Sequence, residues 1–325
     1  MPITRRSIIA GAALAPLLGR SRAARAQNWP SGIIKIVVPF PPGGTVDPIA
    51  RLVQTGLQQR LGATIVIENK SGGSGSAGTA SVAKSAPDGN TWLFVFDTHA
   101  VNPFLQNLPF DTVKDLDPVV LIGTAPNVLA THPARPYKTL ADVIDAAKAK
   151  PDTLTYASVG SGSVGHLTMV QLTKRAGIKM VHVPYRGGGP AMNDAIAGHV
   201  DLIIGSAALV LPQVSAATIR PLLQTGKTRI VALPEVPNAI ESGFAGFESY
   251  AWWGVFAPAG TPKPINDRFG NALIETLREP GISKQISENL QVTMLLGGPE
   301  EERKFLKAQM DLWGPVVQEN NIKGE

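Results

Sequence analysis

Two glycine-rich stretches contain the residues whose types and spacing best suit the binding of a small anion. Residues 37–52 read VVPFPPGGTVDPIARL, in which an apolar run stops at two prolines and two glycines before a helical pattern begins. Residues 156–166 read YASVGSGSVGH and repeat that order. Glycines leave backbone N–H groups unshielded, and a helix N-terminus carries partial positive charge. Each stretch therefore predicts an anion site at a strand–helix junction.

Polar side chains within these stretches suit the same role. Asp47 is the expected N-cap of the first helix, with Pro48 at the first helical position. Ser161 or Ser163 can cap the second helix, and both hydroxyls can donate to a carboxylate oxygen. His166 then lies about one turn into that helix, where capping or packing is the simpler role for a lone histidine. Two helix N-termini aimed into one cleft suit a ligand with two acidic ends.

The first glycine loop lacks the nucleotide-binding motifs. The first loop has no Gly-Lys-Ser/Thr ending and does not fit G-x-G-x-x-G, which favours a small anion such as a carboxylate over a nucleotide. A tight strand-to-helix turn without any ligand is the alternative. A third glycine loop, residues 182–190, contains Tyr185 and Arg186. Tyr185 either lines the cleft or packs, and Arg186 either pairs with an anion or faces solvent.

Catalytic patterns are absent from the sequence. No G-x-S-x-G motif occurs, so a hydrolase using Ser161 or Ser163 with His166 is a weak alternative. The five histidines show no H-E-x-x-H spacing, and the lack of cysteine excludes thiol nucleophiles, disulfides and Cys-zinc sites. Loops rich in donors and poor in acid–base pairs indicate a binding protein. We therefore expect no catalysis, no cofactor and no metal.

Residues 1–26 have the features of an export signal. Residues 4–9 read TRRSII, a twin-arginine pattern, and the apolar stretch Ile8–Leu18 is shorter than the ~20 residues that span a bilayer. Residues 24–26 read ARA, an A-x-A cleavage site. We predict export by the twin-arginine route and cleavage after Ala26; an ordinary secretory signal is the alternative. Without a second apolar span or a cysteine for lipidation, the protein is expected to be free in the periplasm.

The arginines of this segment account for the whole net charge of +5. Five of the 30 basic residues lie in residues 1–26, which contain no acid, so the remaining 25 are balanced by 25 acidic residues. Nucleic-acid binding depends on clustered cations. We therefore expect no nucleic-acid partner.

Segments whose apolar residues have the spacing of a strand alternate along the chain with segments whose apolar residues have the spacing of a helix. Predicted strands cover residues 33–40, 64–68, 91–97, 128–131, 154–157, 180–183, 201–204 and 229–232. Predicted helices cover residues 48–61, 140–148, 164–175, 191–197, 262–278, 281–289 and 299–320, with a short helix that ends near residue 84. This order predicts parallel sheets covered by helices on both faces.

The pattern favours an α/β protein of two domains. Domain 1 is expected to comprise residues 27–124 and 251–325, and domain 2 residues 125–250, so that the chain crosses between them twice. The C-terminal helices have no predicted strand of their own and are expected to pack on domain 1. A cleft between two such domains is a common ligand site.

Several longer stretches resemble the Bug-type (TctC-like) periplasmic substrate-binding proteins of tripartite tricarboxylate transporters. Together they span nearly all of the chain after residue 26, in order. The matching stretches are Val38–Asp47, Val66–Lys70, Ala86–Gly89, Thr98–Pro103, Ser158–Leu167, His182–Gly187, Leu233–Pro237 and Trp253–Pro262.

The resemblance implies a Venus-flytrap, class II-like fold that binds a small carboxylate. One carboxylate is expected to lie against residues 41–47, while residues 98–100 and 158–163 close over the rest. The implied partners are the membrane permease subunits of such a transporter, or a sensor kinase, and the protein is expected to be a monomer. The expected ligand-binding residues are Phe40, Pro41, Pro42, Gly43, Gly44, Thr45, Asp47, Thr98, His99, Ala100, Ser158, Gly160, Ser161, Gly162, Ser163, His166, Tyr185, Gly205 and Ser206.

Gly205 departs from the pattern of that family. Relatives often carry a polar side chain where residues 198–206 read GHVDLIIGS, at the end of the strand. Glycine there removes a partner for the far end of the ligand and is expected to leave room for a bulkier or less charged group.

Overall fold

The computed structural model describes residues 29–324, so the predicted export signal and its cleavage site lie outside the described residues. The strands are β1 (Ile34–Val38), β2 (Ile65–Asn69), β3 (Thr91–Phe96), β4 (Leu116–Thr131), β5 (Thr155–Ser158), β6 (Val181–Pro184), β7 (Leu202–Ser206), β8 (Arg220–Gln224), β9 (Tyr250–Pro258) and β10 (Thr293–Gly297). The helices are α1 (Val46–Leu61), α2 (Ser76–Ala83), α3 (Thr98–Leu105), α4 (Leu140–Ala149), α5 (Val164–Ala176), α6 (Gly188–Ile196), α7 (Ala207–Ser215), α8 (Lys263–Leu277), α9 (Pro280–Lys284) and α10 (Pro299–Glu319). A 3₁₀ turn (Gly73–Gly75) precedes α2, and a π-helical turn (Gln285–Asn289) follows α9.

These strands form one sheet in the order β2-β1-β3-β9-β4-β7-β5-β6, with β8 and β10 also paired to β4. In what we call the first half, β1 is parallel to β2 and β3, and β9 runs antiparallel between β3 and β4. In the second half, β5 is parallel to β6 and β7, and β7 and β8 are antiparallel to β4. Short parallel strands with helical crossovers give both halves an α/β character, as the alternating pattern predicts.

The long strand β4 belongs to both halves. It pairs with β9 from Leu116 to Pro126 and with β7 from Asn127 to Thr131. The chain returns to the first half where β9 begins, at Tyr250. Two strands therefore connect the halves, and the ends of β1 and β3 face the loops of the second half.

Packing between the halves is partly apolar. Val101 and Leu105 of α3, Val164 and Leu167 of α5, and Trp313 and Val317 of α10 form one buried cluster. Within the first half, the rings of Trp92 and Phe269 stack at 3.7 Å. No helix among residues 29–324 is long and apolar enough to cross a membrane.

Two predictions about the second half of the chain are wrong. Residues 229–232 do not form a strand: Val231 lies in a turn and is 91% exposed, so its side chain is not buried as a strand of the sheet would require. The strand in this region is β8 instead. β8 contains Pro221, which has no N–H to donate but is tolerated near the start of a strand that pairs with β4 on one edge and makes only a single bridge, from Gln224 to Asn238, on the other. The C-terminal helices are also interrupted by β10, which pairs with β4.

Candidate functional site

A small cavity lies where loops of the two halves meet. Its volume is ≈ 20 Å³, which is room for about one water molecule, so the halves must separate to admit a larger ligand. The residues that line it are Phe40, Pro41, Gly44, Thr45, Val46, Asp47, Phe96, Val159, Gly187, Gly188, Ser206 and Leu209.

Three helices begin at the wall of this cavity. α1 starts after Thr45, α6 after Gly187 and α7 after Ser206, and none of these N-caps makes a side-chain hydrogen bond to its helix. Among the described helices only α4 and α5 are capped by a side-chain oxygen, that of Thr139 and that of Ser163, so what sets α1, α6 and α7 apart is that their uncapped N-termini meet at one cavity. Uncapped N-termini leave N–H donors and partial positive charge toward the cavity, which suits an anion.

Aromatic side chains hold the first of these N-termini in place. The Trp253 indole Nε1 donates to Thr45 Oγ1 at 3.1 Å, so the Thr45 hydroxyl keeps its own proton to donate. Phe96 packs between Phe40 and Trp253, with ring centroids 6.1 and 5.5 Å away. A Cβ at Gly75 would lie 2.9 Å from the Phe40 ring, so glycine is needed there for that ring to fit.

Asp47 is not the N-cap of α1, contrary to the prediction. The helix begins at Val46, and the buried Asp47 carboxylate instead accepts from Arg51 Nε at 2.8 Å and from Asn69 Nδ2 at 2.9 Å. Asn69 Nδ2 also donates to the Phe40 carbonyl at 3.0 Å. Asp47 therefore ties the start of α1 to β2 and to the loop that follows β1.

Among the described residues that line the cavity, Asp47 is the only charged one. Arg51 pairs with it from a half-exposed position outside the cavity wall. A bound anion would therefore be held by neutral donors and helix N-termini, without a lysine or arginine at the wall.

The serine loop of the second half is largely satisfied by its own groups. Ser163 caps α5, as predicted: its Oγ accepts from His166 N and donates to the Gly160 carbonyl. Gly162 N donates to His166 Nδ1 at 3.1 Å. Ser158 Oγ lies 2.7 Å from His182 Nε2, but Ser158 is fully buried. The described serine–histidine contacts thus offer no reachable nucleophile.

His166 belongs to a stack of rings. Its ring lies 3.7 Å from that of His182, which in turn lies 5.0 Å from Tyr156. Burial lowers the pKa of His166 to about 3 and that of His182 to about 4, so both are neutral near pH 7. The histidines pack the loop and carry no charge toward a ligand.

The glycine loops of the two halves touch at the mouth of the cavity. A Cβ at Gly189 would lie 2.9 Å from the Pro42 carbonyl oxygen, and one at Gly187 would lie 3.0 Å from Pro41 Cδ. On the other side, Ser74 Oγ donates to the Ser161 carbonyl at 3.2 Å. These close approaches of backbone describe a closed arrangement of the two halves.

Asp97 is a residue of this region that the sequence reasoning missed. It follows β3 at the N-cap position of α3 and reaches across the halves, where its Oδ1 accepts from Val164 N at 3.2 Å, at the first residue of α5. Its Oδ2 is buried without a hydrogen-bond partner among the described residues. Burial raises the pKa of Asp97 to about 8. An acid at the end of an apolar strand, directly before a helical pattern, was the available signal.

Thirteen of the nineteen expected ligand-binding residues lie outside the cavity wall. His99 packs against Phe256, and the Tyr185 hydroxyl donates to Asp194 Oδ2 at 2.6 Å. Pro42 and Gly43 line an adjoining groove instead. The other eleven, which line neither the cavity nor the groove, are Thr98, His99, Ala100, Ser158, Gly160, Ser161, Gly162, Ser163, His166, Tyr185 and Gly205.

The space expected in front of Gly205 is occupied. A Cβ at Gly205 or at Gly188 would each lie 2.9 Å from a methyl group of Leu209. Leu209, in the first turn of α7, therefore fills that space and presents an apolar surface to the cavity. The sequence did not reveal this because residues 188, 205 and 209 meet only in the folded chain.

Comparison with known proteins decides the family. The family model described as "Tripartite tricarboxylate transporter family receptor" matches residues 49–322. The chain belongs to that family. The receptor chain is 35% identical to the UPF0065 protein in the tcbD-tcbE intergenic region of Pseudomonas sp. strain P51, over 98% of this chain and 96% of the relative. It is 31% identical to protein BugT of Bordetella pertussis, over 92% of each chain.

Solved structures of similar receptors share the fold. A periplasmic transporter protein is 36% identical, with a TM-score of 0.86 over 91% of this chain and 99% of that one. Rpa4515 of R. palustris, solved with adipate, is 30% identical with a TM-score of 0.87 over 91% and 99%. MatC of Rhodopseudomonas palustris, solved with malate, is 29% identical with a TM-score of 0.82 over 89% and 100%. The fold is therefore that of a two-domain periplasmic binding protein, and members of this receptor family bind solutes for transporters and are not enzymes.

Proposed function

We propose that this receptor captures a small organic carboxylate in the cavity between its halves and delivers it to the permease subunits of a tripartite tricarboxylate-type transporter. The observation that carries the proposal is the convergence of three uncapped helix N-termini, those of α1, α6 and α7, on one cavity. The adipate and malate bound to relatives support a carboxylate as the ligand class.

Backbone N–H groups at the start of these helices would take the place of the water molecules that hydrate the free carboxylate. Thr45 adds a hydroxyl donor, and the helix termini supply partial positive charge without a buried lysine or arginine. Such a site binds an anion while keeping the unliganded cavity free of unpaired cations, whose burial would be costly.

Entry is proposed from the groove beside the cavity. This groove has a volume of ≈ 450 Å³ and shares Gly44, Thr45 and Leu209 with the cavity wall. Separation of the 41–44 loop from residues 187–189 would merge the two spaces. β4 and β9, which connect the halves, are the proposed hinge.

Several features of the mature protein are part of the same proposal. The two-domain division at residues 125 and 250 is supported by the change of partners along β4 and by the start of β9. We further propose a monomer that is exported by the twin-arginine route. N-terminal sequencing of the exported protein should begin at Gln27, and sedimentation should give the mass of one chain; any other N-terminus or mass contradicts these points.

A titration with organic acids tests the proposed capture. Protein freed of ligand by unfolding and refolding is heated with mono-, di- and tricarboxylates at 1 mM. A specific ligand with a Kd of about 10 µM should stabilise the fold by about 2.7 kcal/mol, because it binds only the native state. Thr45→Val should reduce the shift in Tm, since it removes a donor at the start of α1. A refolded protein that responds to no acid would contradict the proposal.

A further inference from the structure

Two hydrogen-bond donors lie side by side in the second half without partners. Asn127 of β4 is paired in register with Ser206 of β7, so their side chains share one face of the sheet. Asn127 is 1% exposed and Ser206 is 2% exposed. Neither Asn127 Nδ2 nor Ser206 Oγ makes a hydrogen bond to any residue in the range 29–324.

Neither donor has a visible role in holding the fold. Ser206 occupies the N-cap position of α7 but its side chain makes no capping hydrogen bond. Ser206 also lines the cavity. The backbone of Asn127 is held by Thr225, whose N–H donates to the Asn127 carbonyl and whose hydroxyl accepts from Asn127 N. Buried donors without an acceptor cost free energy, and the cost is removed when an acceptor binds.

Ser206 lines the cavity and Asn127 lies beside it, behind the wall, and no described residue of the wall accepts a hydrogen bond from either side chain. Leu209 covers Gly188 and Gly205 with methyl groups, and Phe96 and Val159 complete an apolar surface. The missing acceptor is therefore expected to come from the molecule that enters the cavity.

We propose that Asn127 and Ser206 form a second subsite, which binds an oxygen atom at the far end of the ligand. The inference rests on the proposed function, because the first carboxylate must already be held at the helix N-termini. The ligand class is then organic acids with a hydroxyl, carbonyl or second carboxylate oxygen remote from the first carboxylate. Acids with an apolar far end leave both donors unpaired and bind weakly.

Matched acids of equal carbon skeleton test this subsite. Calorimetry compares butanoate, 4-hydroxybutanoate and succinate, then hexanoate, 6-hydroxyhexanoate and adipate, then benzoate, 4-hydroxybenzoate and terephthalate. In the series that contains the tightest-binding acid, the two acids with an oxygen at the far end should bind at least about tenfold tighter than the acid with an apolar far end. Equal or tighter binding of the apolar member would overturn the subsite while leaving carboxylate capture intact. Failure of all nine acids, together with failure of the tricarboxylates in the thermal titration, would overturn the proposed function and this inference together.

Two serine variants separate recognition from stability. Ser206→Ala should reduce the preference for oxygenated acids severalfold without lowering Tm, because its hydroxyl makes no bond within the fold. Ser249→Ala is the matched control: Ser249 is equally buried but accepts from Thr168 Oγ1, and it does not line the cavity. That variant should lower Tm and keep the preference. An unchanged preference in Ser206→Ala, or an equal loss in both variants, would overturn the assignment.

Discussion

Asp47 and Asp97 are two buried acids with different tasks at the junction of the halves. Asp47 pairs with Arg51 and organises the loop after β1, whereas Asp97 reaches the N-terminus of α5 from the opposite half. Both act through contacts with residues distant in sequence. Their roles therefore depend on the fold and lead to separate predictions.

Replacing Asp47 should destabilise the first half more than replacing its partner Arg51. Asp47→Ala removes the acceptor of Arg51 Nε and one of the two acceptors of Asn69 Nδ2, and we expect the free energy of unfolding to fall by about 1–3 kcal/mol. Arg51→Ala removes a half-exposed cation that contributes less than about 1 kcal/mol. Urea denaturation of both variants measures the difference, and equal losses would contradict the anchoring role of Asp47.

Asp97 should make stability depend on pH. Burial raises its pKa to about 8 in the folded protein, against about 4 in the unfolded chain. Between these values the folded state holds the proton and the unfolded state does not, so stability falls as pH rises and levels off above about pH 8. From pH 6.5 to 8 the loss should be on the order of 1–2 kcal/mol.

The variant Asp97→Asn isolates this effect. It keeps an oxygen for Val164 N but has no titratable proton, so the slope due to residue 97 should disappear. The buried groups His99, His166, His182 and Glu302 are common to both proteins and cancel when their unfolding free energies are subtracted. Parallel pH profiles for the two proteins would contradict the buried, protonated state of Asp97.

These residues also mark where the sequence was sufficient and where it was not. The Ser163 cap was predictable because capping is local and involves a residue three positions away. The Asp47 cap was wrong because Asn69, 22 residues later, competes for the same carboxylate. Asp97, Asn127 and Leu209 escaped notice because their partners come from other strands and helices.

At the scale of elements, α1, α6 and α7 are distinguished by beginning at the wall of one cavity with no side-chain cap. The sequence predicted α1 through its glycine loop, and predicted α6 with a later start, at residue 191. It missed α7, which follows β7 without a loop signal. Strand β8 escaped prediction because Pro221 argues against a strand, although pairing with β4 outweighs that local preference.

The contact between α6 and the loop after β1 should be sensitive to a single methyl group. Gly189→Ala places a Cβ 2.9 Å from the Pro42 carbonyl oxygen, which obstructs the closed arrangement. We expect the affinity for the best carboxylate to fall by about tenfold, or ~1.4 kcal/mol. Gly281→Ala is the control, since a Cβ there meets nothing within 4 Å. Unchanged affinity in Gly189→Ala would show that this contact is not part of ligand closure.

At the scale of the whole molecule, the two halves are connected by β4 and β9 and meet at a cavity of ≈ 20 Å³. A cavity of that size excludes even a four-carbon acid, so capture requires opening and closing about these strands. The chain order predicted two α/β units and the cleft between them. It did not reveal how tightly the cleft closes, because that depends on the backbone contacts of Gly43, Gly44, Gly188 and Gly189.

A high-resolution crystal structure of the protein with its tightest carboxylate tests the central claim most directly. We predict carboxylate oxygens within about 3.2 Å of backbone N–H groups at the start of α1, α6 or α7, between the two halves. A cationic groove beside Lys148 and Arg175, with a volume of ≈ 330 Å³, offers a rival location on the second half. Acid bound in that groove, with none between the halves at saturating concentration, would contradict the account.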